Sequence, residues 1–270
     1  MSVKITERIT SRKNQTVIDA AKLVDRRRRE ETGTFVLEGI KLFNEAARAG
    51  VKIRELFVTD AALGKYGADI EKASCDKIYS VTDEVFAKLS TESAPQGVFA
   101  VCEQFKAPER AASGEPFALV LDGVADPGNL GTMIRCADAL GAERVYIGEG
   151  GADVFAPKTV RAAMGSIFRV RTERCDAVSA VMRLRGAGYK VYAAMLDARA
   201  EDVRRADVSG KVAFVVGNEG HGVSEKVAAA CDGSVIIPMT EGIESLNAAV
   251  AASLLMWEAA RGRLGLNRQV

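Results

Sequence analysis

The chain has 270 residues, 48% of them hydrophobic and 27% charged, with a formal net charge of +1. That length accommodates two domains, and the composition is that of a packed globular protein rather than a disordered or fibrous one. Near-neutral charge excludes a polycationic nucleic-acid binder, so any RNA or DNA contact has to come from local charge.

The opening stretch, MSVKITERITSRKNQ, lacks the apolar core of a secretion signal. No later run approaches the roughly 20 apolar residues that cross a bilayer, so a cytoplasmic protein without a membrane partner is expected. Residues 1–34 carry nine Lys and Arg against five acids, a local surplus of four, and read as a basic N-terminal arm. Val17, Ala20, Ala21 and Val24 recur at helical spacing, which predicts one amphipathic helix over 16–31 stopped near Gly33. Its arginine run, Arg26 to Arg29, fits either a solvated helix face or a phosphate-contacting one.

From residue 35, short apolar strands alternate with helical stretches. FVLEG leads into helical IKLFNEAARAG, then come IRELFVT, a less regular segment, KIYSV, a helix TDEVFAKLS with Thr82 as N-cap, and GVFAVCE. Residues 35–105 form one compact α/β unit on this reading. KAPERAASGEP, 106–116, has linker composition and marks the domain boundary.

Residues 117–270 alternate again: strands FALVLDGV, RVYIG, FRVRT, KVYAAML, KVAFVVG and SVIIPM, with helices over 129–140, 157–165, 177–187, 224–231 and about 245–262. Nearly continuous apolar strands between helices imply a parallel sheet covered on both faces. Ligands of such sheets sit beyond the carboxyl ends of the strands. Three strand ends carry unusual loops.

The first loop, DGVADPGNLG, places Asn129 as N-cap of the following helix, Gly131 on its first turn, and the Arg135 cation close behind. The second, GNEGHGVS, holds Gly217, Asn218, Glu219, Gly220, His221 and Gly222. It is neither a Rossmann fingerprint, which opens the first βαβ unit, nor a Walker loop, which needs Lys followed by Ser or Thr. Glu219 would repel a pyrophosphate, so an uncharged or cationic ligand is expected here. The third, PMTEGIES, leads into Ser245-Leu246-Asn247 and an Ala-rich helix that is apolar on more than one face. Five scattered cysteines (Cys75, Cys102, Cys136, Cys175, Cys231), with no Cys-x-x-Cys pair, argue against a disulfide framework. A single histidine, His221, leaves little for a zinc site, so metal-free chemistry is expected.

Taken together, Asn129-x-Gly131-x-x-x-Arg135, Gly217-x-Glu219-Gly220-x-Gly222 and Pro238-Met239 with Glu244-Ser245-Leu246-Asn247-x-Ala249-Val250-Ala251 resemble the three motifs of the SpoU/TrmH family. These are S-adenosylmethionine-dependent RNA ribose 2′-O-methyltransferases of the SPOUT class. The resemblance covers about 117–262, while 35–105, with LSTESAPQGVFAV, and the opening ITSRKNQ resemble the substrate-binding region that precedes the catalytic domain in many members.

The resemblance implies an α/β fold: a parallel-sheet SPOUT domain with a C-terminal trefoil knot, preceded by a smaller α/β RNA-binding domain. It implies S-adenosylmethionine as cofactor, gripped by Gly217, Asn218, Gly222, Ile237, Met239, Ser245 and Leu246. RNA is the implied partner, ribosomal rather than transfer RNA because of the added N-terminal domain. A homodimer is implied, with the last helix in its interface.

Catalytic roles fall on Arg135, Asn129, Glu219, Ser245 and Asn247. Asn129 and Asn247 would position the ribose and the loops, and Glu219 would hold the second loop in shape or orient Arg135. Family proposals make Arg135 the acceptor of the 2′-hydroxyl proton. An arginine stays protonated in proteins, so an anchor for the target's phosphate is the alternative. His221, at a variable position of the motif, is expected to be a loop residue rather than a base.

Two other classes compete. A non-catalytic RNA-binding or ribosome-assembly protein retaining the fold is disfavoured by intact Asn, Arg and Glu positions. A nucleotide-dependent α/β enzyme is disfavoured by the missing Walker and Rossmann features. Base methylation by a related SPOUT branch yields to ribose methylation on the Asn-Gly-Arg spacing.

Overall fold

A computed structural model describes residues 3–109, 116–197, 199–242 and 245–261. Most of the expected 106–116 linker, Ile243 and Glu244 of the third loop, and the expected helix end at 262 lie outside the described residues. The chain divides into two compact units: residues up to Phe105 together with Phe155–Phe168, and Lys106–Val154 together with the residues from Arg169 on.

The first unit runs β1 (Glu7–Ile9), α1 (Gln15–Ala21), α2 (Arg26–Thr32), β2 (Thr34–Glu38), α3 (Ile40–Arg48), β3 (Ile53–Thr59), α4 (Asp60–Lys72), β4 (Cys75–Val81), α5 (Asp83–Leu89) and β5 (Val98–Glu103). Its sheet has the order β1-β4-β3-β5-β2. β1, β4 and β3 are parallel, and β5 is antiparallel to both β3 and β2.

The segment expected as an arm is built into this unit. Glu7, Arg8 and Ile9 pair with Tyr79, Ser80 and Val81, and Val17, Ala20 and Leu23 join the core around Phe57, Tyr79 and Phe99. The helix expected over 16–31 is two helices, because a 3-10 turn (Lys22–Val24) intervenes and Asp25 is extended at φ −85°, ψ 130°. The arginine run divides likewise. Arg26 and Arg27 make i,i+4 pairs with Glu30 and Glu31 at the surface, whereas Arg29 is buried and donates to the Leu23 and Val24 carbonyls, both at 2.7 Å. The segment read as irregular is the 13-residue α4, capped by Thr59; Gly64 and Gly67 obscured it.

The second unit runs β6 (Phe117–Asp122), α6 (Pro127–Leu140), β7 (Arg144–Ile147), β8 (Arg171–Arg174), α8 (Ala177–Gly186), β9 (Lys190–Ala194), β10 (Glu201–Asp202), β11 (Val212–Gly217), α9 (Glu225–Ala230), β12 (Gly233–Ile236) and α10 (Ala248–Ala260). Its sheet is parallel throughout, in the order β10-β12-β9-β11-β6-β7-β8. The central β6 and β11 are buried almost along their full length, which is why they read as unbroken apolar runs.

Between β7 and β8 lies α7 (Pro157–Ala163), followed by a 3-10 turn over Met164–Phe168. The helix expected over 157–165 stops at Ala163, where Met164 takes φ +52°. This stretch belongs to the first unit, where the Phe155 ring lies 4.8 Å from Phe35, Phe168 lies 5.4 Å from Phe105, and Arg161 pairs with Glu92. Among the described residues no helix is long and apolar enough to cross a membrane.

Candidate active site

A parallel sheet puts all its carboxyl ends on one edge. In the second unit the loops after β6, β11 and β12 leave from that edge. β6 and β11 are adjacent and end in register, Asp122 opposite Gly217. β12 is separated from β11 by β9 alone, so the β9 end at Ala194 and Met195 falls between the second and third loops. Sequence reasoning missed that position, because only the strand order reveals it.

The first two loops are laced together at their roots. Asn218 donates from Nδ2 to the Gly123 carbonyl at 2.8 Å, and the Ser224 amide donates to Asp122 Oδ2 at 2.8 Å. The second loop closes on itself, Asn218 and Gly222 exchanging both backbone bonds at 3.0 and 2.8 Å. Gly217 is required by that closure: a Cβ there would fall on the Gly222 carbonyl group and the Val223 nitrogen.

Glu219 reaches from the second loop to the first. Its carboxylate accepts from the Ala125 amide at 3.2 Å, the Asp126 amide at 3.3 Å and Asn129 Nδ2 at 2.9 Å. Burial pushes this carboxyl upward, but the bonds from the Asn129 side chain and from the Glu219, Ala125 and Asp126 amides outweigh it and hold it below its ordinary value. It is therefore an anion at neutral pH with its acceptor sites turned to its own chain.

Asn129 is not the N-cap expected from the sequence. Asp126 takes that place, its Oδ1 accepting from the Asn129 amide at 2.8 Å, and Pro127 fills the first helical position. Asp-Pro was the available signal, since proline at the start of a helix puts the cap one residue before it. Relieved of capping, the Asn129 side chain bridges loops: Nδ2 to Glu219, and Oδ1 accepting from Asn247 Nδ2 at 3.1 Å. Asn247 caps α10, its Oδ1 accepting from the Ala249 and Val250 amides at 2.9 and 3.3 Å. Three of the five expected catalytic residues thus form one chain of hydrogen bonds across the three loops.

The other two stand apart. Arg135 is exposed, two turns into α6 on the side of Gly131, with no hydrogen bond or ion pair among the described residues. Among the described residues Glu219 makes no bond to it; the carboxylate's bonds run to the first loop. Ser245 is exposed immediately before the α10 cap. Of the remaining expected ligand residues, Gly217 is buried, Gly222 is exposed at φ +68°, Asn218 is half-buried, and Ile237, Met239 and Leu246 are half-buried apolar side chains near the same edge. His221 is exposed in the second loop between Gly220 and Gly222. Among the described residues no cluster of His, Cys, Asp and Glu could hold a metal ion.

Comparison with known proteins agrees with this geometry. The SpoU rRNA Methylase family model matches residues 116–257, and an MRM3-like substrate binding domain matches 14–100. A 23S rRNA (guanosine(2553)-2′-O)-methyltransferase of Bacillus subtilis is 37% identical over 93% of this chain and 98% of its own. A 23S rRNA (uridine(2479)-2′-O)-methyltransferase of Streptomyces viridochromogenes is 32% identical over 95% of this chain and 93% of its own. Among solved structures, an AdoMet-bound rRNA methyltransferase from Sinorhizobium meliloti superposes with a TM-score of 0.85 at 33% identity, over 96% of this chain and 98% of that one. The SpoU methyltransferase AviRb from Streptomyces viridochromogenes, in complex with AdoMet, gives 0.84 at 28% identity, over 94% and 99%. With its three motif loops gathered at one sheet edge and these likenesses spanning nearly its whole length, the chain belongs to the SpoU rRNA methylase family.

Proposed function

We propose that this protein transfers a methyl group from S-adenosylmethionine to a ribose 2′-hydroxyl of 23S ribosomal RNA. The observation that carries the reading is the Glu219–Asn129–Asn247 chain, which joins the three family motifs into one site. The two relatives act on a guanosine and a uridine. The target base therefore varies among relatives, whereas the ribose oxygen does not.

The residues fit the cofactor. Gly217 and the closed loop behind it offer backbone without side chains, and Ile237, Met239 and Leu246 offer half-buried apolar surface for an adenine. When bound, S-adenosylmethionine supplies a methyl carbon carried on a cationic sulfonium. Glu219, its carboxylate engaged by donors of its own chain, braces the second loop against the first beside the cofactor. Asn129 and Asn247 fix the loop mouths where the ribose has to be aligned in line with that carbon. Arg135 is the anchor of the target's phosphate: it is exposed, permanently cationic and free of partners among the described residues. Water or phosphate then takes the 2′-hydroxyl proton. A pH–rate profile of Arg135→Lys separates anchor from base, since an unchanged profile with weaker RNA binding belongs to an anchor.

The same reading carries the family's homodimer, its trefoil knot and a cytoplasmic site of action. Val250, Leu254 and Trp257 form one exposed apolar stripe on α10, a surface suited to a second copy of this chain. What supports the knot is the return of α10 onto α6 and β11, next to the first and second loops.

Calorimetric titration with S-adenosylmethionine, with ATP and NAD as controls, is the direct test, followed by methyl transfer to 23S rRNA and nucleoside mass spectrometry. Saturable binding of S-adenosylmethionine alone and a 2′-O-methylated product are expected. No binding, with or without RNA, would leave a non-catalytic RNA binder.

A further inference from the structure

The first unit holds a recess of about 480 Å3, a size suited to a small ligand, away from the motif loops. Its walls come from the first turns of α4 and α5, and its floor from the segment leading into β5. Gly97 makes the floor possible: it sits at φ +73°, and a Cβ there would overlap Thr59 Oγ1 and lie 2.9 Å from Ala62 Cβ.

The lining groups have spare bonding capacity. Tyr66 is half-buried, and its hydroxyl bonds to nothing among the described residues. The Lys65 ammonium lies 5.1 Å from the centre of that ring and pairs with no carboxylate among the described residues. Asp83 is exposed and pairs with no cation among them. Gln96 accepts from the Ile40 amide at 3.1 Å, which pins its oxygen and leaves its NH2 group with no acceptor among the described residues. Lys88 follows the recess-lining Ala87 on α5 and donates to the Arg12 carbonyl at 2.8 Å. That bond brings the exposed Arg12 and Lys13 to the same helix.

We infer that this recess receives one unpaired nucleotide of the RNA substrate, its base against Tyr66 and its phosphate toward Lys65. An aromatic face takes any base by stacking. The acceptor-only Asp83 and the donor NH2 of Gln96 match the mixed edge of a base and would not match a phosphate held inside. Cations at Lys65, Lys88, Arg12 and Lys13 complement the strand on either side. Splayed-out single-stranded bases, stacked on aromatic rings, are a usual mode of RNA recognition. The inference rests on the RNA-methyltransferase reading and deepens it, placing a substrate contact in a unit that carries none of the three motif loops.

The test uses the full chain and a fluorescein-labelled octauridylate with one central 5-iodouridine. Anisotropy is measured for wild type, Tyr66→Phe, Tyr66→Ala, Lys65→Ala and Asp83→Asn, and photo-crosslinks are mapped by mass spectrometry. The expected result is a crosslink at Tyr66, retention of binding in Tyr66→Phe, and a loss of about ten-fold or more in Tyr66→Ala. Wild-type affinity in Tyr66→Ala, or crosslinks confined to the second unit, overturns the assignment. So does saturation by free UMP that the octamer cannot displace, which would mark a small-molecule site. S-adenosylmethionine titration of the same samples keeps the two readings apart: retained cofactor binding with no oligonucleotide uptake sinks the recess alone, and loss of both sinks the enzyme reading as well. Should Tyr66→Ala melt early, Lys65→Ala and Asp83→Asn, both at exposed positions, carry the comparison.

Discussion

Asn129 and Asn247, 118 residues apart in the chain, are joined side chain to side chain at 3.1 Å, and the direction of that bond is dictated from a third residue. A carboxylate only accepts, so Glu219 obliges Asn129 to present its NH2 group. The Asn129 oxygen is left for the Asn247 NH2, and the Asn247 oxygen is left for the first amides of α10. A charge in the second loop thereby sets the cap of the last helix.

Asn129→Asp sets a second carboxylate against Glu219 and removes the donor. The expected outcome is loss of methyl transfer by about two orders of magnitude and a lower melting temperature. A charged hydrogen bond of this kind contributes about 1.5–3 kcal/mol. Methyl incorporation into 23S rRNA and a thermal melt check it; Asn247→Ala should lose about 1 kcal/mol as a missing cap.

Glu219 also gives the site an acid limit. Its carboxyl is held below its ordinary value of 4.5, so the folded loops favour the charged form. The resulting stabilisation is fully present above that ordinary value and is lost as pH falls through the lower, folded one. Glu219→Gln should flatten this part of the acid dependence, seen as convergence of the two proteins' melting temperatures from about pH 6 down to about pH 3.

Gly217→Ala tests the closed loop. Because the added methyl would coincide with backbone atoms of Gly222 and Val223, the loop has to open. S-adenosylmethionine affinity is expected to fall beyond calorimetric detection while β11, buried along its length, keeps the sheet folded by circular dichroism.

The α10 stripe predicts an oligomeric state. Trp257→Glu, or Leu254→Lys, should convert the proposed dimer into a monomer in sedimentation equilibrium. Val24→Lys, at an exposed apolar position outside the stripe, should leave the mass unchanged.

Arginines of the N-terminal run should differ sharply. Arg29→Met removes buried bonds to the Leu23 and Val24 carbonyls and should cost about 2–3 kcal/mol in denaturant melts. Arg27→Ala, at a surface pair, should cost about 0.5 kcal/mol or less.

What was legible in the sequence was what depends on local pattern. The strands β6, β7, β9, β11 and β12 and the Thr82 cap are short-range signals and stand close to where expected. The strand expected over 168–172, by contrast, begins only at Arg171, because Phe168 closes the 3-10 turn before it. What escaped depends on partners far along the chain. β1 is three residues whose strand character comes wholly from pairing with β4, and α4 was hidden by two glycines that its packing tolerates. The Asn129 cap was misplaced by three residues, and the misplacement hid its bridging role, since a side chain cannot both cap its own helix and reach Glu219.

The stretch from Phe155 to Phe168 has a consequence for biosynthesis. The first unit is incomplete when its own strands have left the ribosome. The rings of Phe35 and Phe105 wait for Phe155 and Phe168, and Glu92 waits for Arg161, all made only after β6, α6 and β7. The two units are therefore interleaved in time as well as in sequence: the N-terminal unit closes only once two of the second sheet's seven strands have been synthesised, and a fragment ended at Phe105 would leave an aromatic face open to water.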